Sequence, residues 1–170
     1  MNPTPESAYV IGLHEVVWGG ALVAITMIIH GFGMLLVLRV ANILKLRFES
    51  NPSFFRGIFI LILASWMILL VHLTEVFPWA WFFLHEQAVN ADHINGSLCY
   101  YFALLDYTTL GCPYNLVSHW RLLEGMIAIA GLLTFAWSTG VLFILAQVFQ
   151  QQELQSLKKW RERRHASKTH

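Results

Sequence analysis

Three long stretches of the sequence carry no charged side chain. They cover residues 16–38, 57–71 and 126–149, and apolar residues fill most of their positions. A helix needs about 20 apolar residues to cross a bilayer core of roughly 30 Å, because it rises about 1.5 Å per residue and satisfies its own backbone hydrogen bonds. The pattern therefore predicts an all-α integral membrane protein with three transmembrane helices.

A fourth apolar run, residues 98–110, lies between the second and third predicted spans. It follows Asn95, Gly96 and Ser97, which favour the start of a helix. An apolar segment of about 10 to 14 residues is too short to cross the bilayer, and its length suits a re-entrant helix. A helix lying on the outer surface of the bundle fits the length equally well, so both interpretations stay open at this point.

The charges are few and segregated. Hydrophobic residues make up 56% of the chain and charged residues 12%, about half of what a soluble domain carries. The basic residues cluster between the first two spans and after the third, and the positive-inside rule makes both segments cytoplasmic. We expect an uncleaved, multi-pass protein of the cell inner (plasma) membrane, with its N-terminus outside and its C-terminus in the cytoplasm. These basic residues are Arg39, Lys45, Arg47, Arg56, Lys158, Lys159, Arg161, Arg163, Arg164 and Lys168.

Four segments of the sequence carry a family pattern. Residues 107–111 read Tyr-Thr-Thr-Leu-Gly, residues 120–125 read Trp-Arg-Leu-Leu-Glu-Gly, and residues 132–140 read Leu-Leu-Thr-Phe-Ala-Trp-Ser-Thr-Gly. With the His-Leu-Thr-Glu of residues 72–75, they resemble the potassium-channel pore family. The resemblance is closest to small bacterial proteins that carry a two-helix ion-channel pore domain behind one additional transmembrane helix.

The resemblance implies a division of the chain. Residues 1–56 would form an N-terminal periplasmic segment, the first transmembrane helix and a cytoplasmic loop. Residues 57–149 would form the potassium-channel-like pore domain, with an outer helix, a re-entrant pore helix, a filter loop and an inner helix. Residues 150–170 would form a basic cytoplasmic tail.

The resemblance also implies a function, that of a pore-forming subunit of a potassium-channel-like cation channel. Such subunits assemble as homotetramers in the lipid bilayer, and K⁺, or alternatively Na⁺, would be the permeating ion. Backbone carbonyls of the filter replace the hydration shell of the cation, and the C-terminal end of the pore helix adds partial negative charge. No cofactor is implied, and no metal beyond the permeating cation. The implied ion-selectivity filter is Thr108, Thr109, Leu110, Gly111, Cys112 and Pro113.

The filter departs from the family at its outer end, where Cys112 and Pro113 replace a tyrosine and a glycine. Proline holds φ at about −65° and has no N–H, whereas glycine reaches angles closed to other residues. In the family the tyrosine ring braces the filter against the pore helix, and this chain lacks that ring. Asp106 is a further departure, because the family usually has threonine at that position. We expect weakened potassium selectivity or poor conduction. A non-selective or non-conducting regulatory membrane subunit is the alternative function.

Three ionisable side chains lie within the apolar spans: His30, His72 and Glu75. Such residues are functional candidates, because they are expensive to bury in lipid. His72 and Glu75 lie three positions apart on one helical face, which allows either a packing hydrogen bond or a proton-sensing pair. His30 and His72 also suggest a haem-binding membrane protein. We expect the first span to start near Val17 and the second to end near Pro78 and Trp79. At about 1.5 Å per residue, His30 and His72 would then lie about 20 Å and 10 Å from the outer face, too far apart for one iron.

Other candidates are weaker. The resemblance makes Gly131 the candidate gating hinge of the inner helix, although a glycine in a membrane helix otherwise indicates close packing. Cys99 and Cys112 both fall on the predicted outer side, where a disulfide is permitted, and we expect unpaired thiols with a disulfide as the alternative. The sequence shows no nucleophile and base set and no clustered metal ligands, so we predict no enzyme. Nucleic acid is not an expected partner.

Overall fold

The regular elements of the protein are helices. A computed structural model describes residues 11–47 and 54–166. The elements are α1 (Leu13–Arg47), α2 (Phe54–His85), α3 (Gly96–Tyr107), a single 3₁₀ turn (Ser118–Trp120) and α4 (Leu122–Ala166). The start of the predicted N-terminal segment, the predicted cytoplasmic loop at residues 48–53 and the last four residues of the basic tail lie outside the described residues.

Three of these helices are long and apolar enough to cross a membrane. The spans are Leu13–Arg47, Phe55–His85 and Ser118–Gln151. Their number confirms the prediction from the charge-free stretches and indicates a multi-pass membrane protein. The third helix continues past the apolar stretch, because α4 runs to Ala166.

The second helix is longer than the sequence predicts. We expected it to end near Pro78, but Pro78 lies inside α2, which continues to His85. Proline removes one backbone N–H and disturbs the turn before it, and in membrane helices neighbouring groups satisfy the freed carbonyls. Pro78 provides no helical donor for the carbonyl of Thr74, and the hydroxyl of Tyr100 donates to the adjacent carbonyl, that of Leu73, at 2.9 Å. This contact from α3 lies in the turn that precedes the proline.

The short helix α3 begins where the sequence predicts. Asn95 is its N-cap, and the Asn95 side chain accepts a hydrogen bond from the backbone N–H of Leu98 at 2.9 Å. After α3 the chain returns to the segment that follows α2. The N–H of Asn90 donates to the carbonyl of Asn115, and the N–H of Val117 donates to the carbonyl of Ala88, both at 2.8 Å.

By contact density the protein forms two compact units, and all candidate site residues belong to the first. The core of the first unit is aromatic: Trp79, Phe83 and Phe102 are fully buried, and the rings of Phe83 and Phe102 meet edge to face. The first unit comprises Met1–Gly31 and Val71–Phe135, and the second comprises Phe32–Leu70 and Ala136–His170.

The second unit is joined by small and branched aliphatic side chains. Val37 and Ala41 of α1 and Ile60 and Ala64 of α2 are buried there. All four surround the same point, where no space large enough for a water molecule is left between them. Small residues allow two helices to approach closely, as is typical of helix pairs in membranes.

Candidate functional site

The predicted filter loop follows directly from the last turn of α3. The side chain of Thr108 turns back onto that helix, and its hydroxyl lies 3.0 Å from the carbonyl oxygens of Leu104 and Leu105. Leu110 is 76% exposed, although it is a large apolar residue. The loop is therefore anchored at Thr108, whereas the side chain of Leu110 contacts little of its own chain.

The backbone of the loop is strained. Thr109 has φ of 61° and Gly111 has φ of 76°, and Leu110 between them is outside the left-handed region. The N–H groups of Thr109 and Leu110 bond to the carbonyls of Asp106 and Leu105 at 3.0 Å. This is a Schellman motif, whose left-handed position glycine normally occupies. A β-branched threonine there costs on the order of 1–3 kcal/mol, and strain of this kind clusters at functional sites.

The C-terminal end of α3 lies against the backbone of α4. A Cβ atom placed on Gly131 would overlap the carbonyl oxygen of Tyr107 and lie 3.0 Å from its carbonyl carbon. Only glycine permits this approach. The structure thus gives Gly131 a packing role, and its predicted role as a gating hinge stays a prediction.

A buried polar cluster surrounds the hydroxyl of Tyr107. Glu75 is at its centre, with one carboxylate oxygen 2.8 Å from Nδ1 of His30 and the other 3.3 Å from Nδ1 of His72. The Tyr107 hydroxyl donates to Glu75, and it lies 3.0 Å from Nδ1 of His72 and 2.5 Å from Oγ1 of Thr134. His30, Glu75 and Thr134 are 0% exposed, and His72 is 7% exposed, so the cluster is buried.

The cluster confirms that His72 and Glu75 interact, and it shows that the predicted separation of His30 from His72 is wrong. Their ring centroids are 5.4 Å apart. The expected depths assumed that α2 ends near Pro78; measured to its observed end at His85, His72 lies roughly 20 Å deep, and His30 lies roughly 25 Å from the start of α1. Side chains lean toward the N-terminus of their own helix, so those on antiparallel helices lean in opposite directions. His30 lies deeper and leans toward the start of α1, whereas His72 leans away from the end of α2, and the two rings therefore reach one level.

This geometry does not suit a haem, for a different reason from the expected one. An axially ligated iron separates two facing nitrogens by about 4 Å, with a porphyrin between the rings. In the structure the carboxylate of Glu75 occupies the place between the Nδ1 atoms of His30 and His72. A porphyrin would have to displace it.

Two members of the cluster were not found from the sequence. Tyr107 appeared only as part of the filter pattern, and Thr134 only as part of the inner-helix pattern. The available signal was their polarity within apolar surroundings. A second contact braces the same helices, because the indole N–H of Trp79 donates to Oγ1 of Thr26 at 2.9 Å.

Asp106 is buried beside the cluster, at the end of α3. It is 8% exposed, and its Oδ2 has no hydrogen-bond partner among the residues that the structure describes. Burial, together with the negative charge of Glu124, raises the pKa of Asp106 to about 7. Near neutral pH this carboxyl is therefore divided between its protonated and ionised forms.

The two cysteines are unpaired, as expected. Cys99 is fully buried in the core of the first unit, and burial raises the pKa of its thiol. Cys112 is only partly buried and packs at the edge of the same core. Cys112, which lies in the predicted filter, is thus the more accessible of the two thiols.

The expectation of no clustered metal ligands is wrong. One ligand atom from each of His30, His72 and Glu75 lies within 4.8 Å of the others. The sequence conceals this group, because His30 is far from the other two along the chain.

Comparison with protein-family models, curated proteins and solved structures finds no match to this chain.

Proposed function

We propose that this chain is one subunit of a potassium-channel-like cation channel and that cations pass along the loop of residues 108–113. The observation that carries the proposal is the position of Tyr107, the last residue of α3. Its carbonyl touches Gly131 and its hydroxyl reaches Glu75 and Thr134. The C-terminal end of a short helix is thereby brought against the interior of two long ones.

Distances along the helices favour a re-entrant α3. Gly131 lies roughly 14 Å from the start of α4, and Glu75 lies roughly 15 Å from the end of α2. The first residue of α3, Gly96, lies beside Leu84 near that end of α2. The chain then returns to pair residues 115–117 with residues 88–90. A segment that enters and leaves at one end of two spans is what a pore helix and filter require.

The loop itself has features that suit a cation. Alternating left-handed and other backbone conformations turns successive carbonyl oxygens toward one side of a loop, the arrangement that a cation filter requires. Thr109 and Gly111 provide that alternation. The exposure of Leu110 fits a surface that other copies of the chain complete. One loop cannot surround an ion, so we propose a homotetramer with the loops at its axis.

The charge pattern supports the orientation. Lys45 and Arg47 end α1, and basic residues recur beyond the apolar part of α4. The positive-inside rule then puts the N-terminus outside, and the loop of residues 108–113 opens to the outer side. We propose the cell inner (plasma) membrane as the location.

The test is cation flux into liposomes containing the purified tetramer. Cys112 and Pro113 replace the residues that complete a selective filter, so we expect potassium flux with little preference over sodium. The double substitution Cys112→Tyr with Pro113→Gly should raise the preference for potassium. A matched pair outside the loop, His85→Asn with Trp81→Phe, should leave selectivity unchanged, because both residues lie on the exposed end of α2.

The alternative, a non-conducting regulatory subunit, predicts a different result. Neither the natural protein nor the double variant would then pass ions, although both would be verified as tetramers. That outcome would contradict the channel proposal and leave the three-span architecture intact.

A further inference from the structure

The side chains around Glu75 make more close polar contacts with one another than they have protons to bridge. His30, His72, Glu75 and Tyr107 make four close contacts with one another. With Glu75 ionised, the two ring Nδ1 atoms and the phenol supply at most three protons. At least one proton must be shared, or one contact must bring two lone pairs together. Convergent lone pairs in a closed space are typical of a metal site.

The spacing of these atoms matches a coordination sphere. A tetrahedral site with bonds of about 2.0–2.1 Å holds its ligand atoms roughly 3.3 Å apart. Oε1 of Glu75 lies 2.8 Å from Nδ1 of His30, and Oε2 lies 3.3 Å from Nδ1 of His72. The oxygen of Tyr107 lies 3.0 Å from Nδ1 of His72. One ligand atom from each of His30, His72 and Glu75 lies within 4.8 Å of the other two, so the three side chains converge on one point.

We propose that this cluster is a binding site for a divalent transition-metal ion of the zinc class. The ligands are Nδ1 of His30, Nδ1 of His72, one carboxylate oxygen of Glu75 and the phenolic oxygen of Tyr107. Two imidazoles with two oxygens suit Zn²⁺, Co²⁺ or Fe²⁺ and are poor ligands for K⁺. Thr134, at 2.5 Å from the Tyr107 oxygen, holds that ligand in position from α4.

The charge balance favours the bound state. Each neutral imidazole moves its proton to Nε2 and offers Nδ1 to the ion. Release of the phenolic proton to water leaves one carboxylate and one phenolate around a divalent cation, so the bound cluster is neutral. A neutral cluster is the form that a buried site tolerates best, since an isolated charge there is costly to bury; all four ligands are buried.

The site would tie three elements together. His30 belongs to α1, His72 and Glu75 belong to α2, and Tyr107 ends α3. A bound ion would therefore fix the residue immediately before Thr108. The metal site depends on this geometry alone and stands whether or not the protein conducts.

The experiment uses the full chain, expressed with Co²⁺ replacing Zn²⁺ so that the ion is present as the protein folds. We expect one Co²⁺ per chain with the visible absorption of a tetrahedral ion, and X-ray absorption showing two nitrogen and two oxygen neighbours. Glu75→Gln should weaken binding by at least about 100-fold, and Tyr107→Phe should change the spectrum. The control, His85→Asn, breaks an exposed histidine–glutamate pair on the same helix and should change neither.

Three results would overturn the proposal. They are fewer than one firmly held ion per chain, an octahedral spectrum typical of surface histidines, and binding that Glu75→Gln leaves unchanged. X-ray absorption on the natural protein needs no variant, so a folding defect in Glu75→Gln would not prevent a decision.

Discussion

Replacing Gly131 by alanine forces apart two backbones that touch in the structure. The added Cβ overlaps the carbonyl oxygen of Tyr107, whereas the ordinary distance between such atoms is about 3.3 Å or more. The end of α3 must therefore move by more than about 1 Å. Overpacking of this kind lowers the free energy of unfolding by about 1–3 kcal/mol, and the higher helix propensity of alanine offsets about 1 kcal/mol of that loss.

Gly125→Ala is the matched control, because it lies in the same helix and its added Cβ meets nothing within 4 Å. The propensity gain is common to both variants, so the difference in their free energies of unfolding isolates the contact at about 1–3 kcal/mol. Reversible unfolding in mixed micelles, followed by tryptophan fluorescence, measures that difference. Equal stability of the two variants would refute the close approach of α3 to α4.

Three further predictions concern the same region. Thr109→Gly relieves the left-handed strain and should raise the free energy of unfolding by about 1 kcal/mol, and a loss of stability would contradict the Schellman geometry. The pKa of Asp106 is raised from 3.8 to about 7, so its contribution to stability is complete below pH 3.8 and is lost as the pH rises through about 7. Asp106→Asn should flatten the pH dependence of thermal unfolding across that window; an unchanged profile would show that another group titrates there. Tyr107→Phe should lower the free energy of unfolding by about 1–3 kcal/mol in the same micelle assay, whereas Tyr101→Phe, at a 51% exposed position, should change little.

The spans could be predicted because lipid imposes a simple rule. A backbone in hydrocarbon must bond to itself, and this requirement is written locally as long runs without charge. The start of α3 was predictable for a similar reason, since the Asn95 cap is a local signal. Pro78 misled the prediction because proline ends a helix in water more readily than in a membrane, where Tyr100 can reach the disturbed turn.

The buried cluster could be predicted only in part. His72 and Glu75 share one helix face, so their contact follows from helical periodicity. The positions of His30 and Tyr107 depend on how far α1, α2 and α3 extend and on how their side chains lean, which no local pattern records. The approach of Tyr107 to Gly131 is likewise a tertiary contact, although the glycine itself was a visible clue.

If cations pass beside residues 108–113, chemical modification of the natural Cys112 should interrupt their flow. Cys99 is fully buried and Cys112 only partly, so an external charged thiosulfonate reagent should modify Cys112 selectively. We expect this modification to block potassium flux into proteoliposomes, and we expect Cys112→Ser to conduct but to be insensitive to the reagent. Complete modification of Cys112 with unchanged flux would show that the ion pathway lies elsewhere.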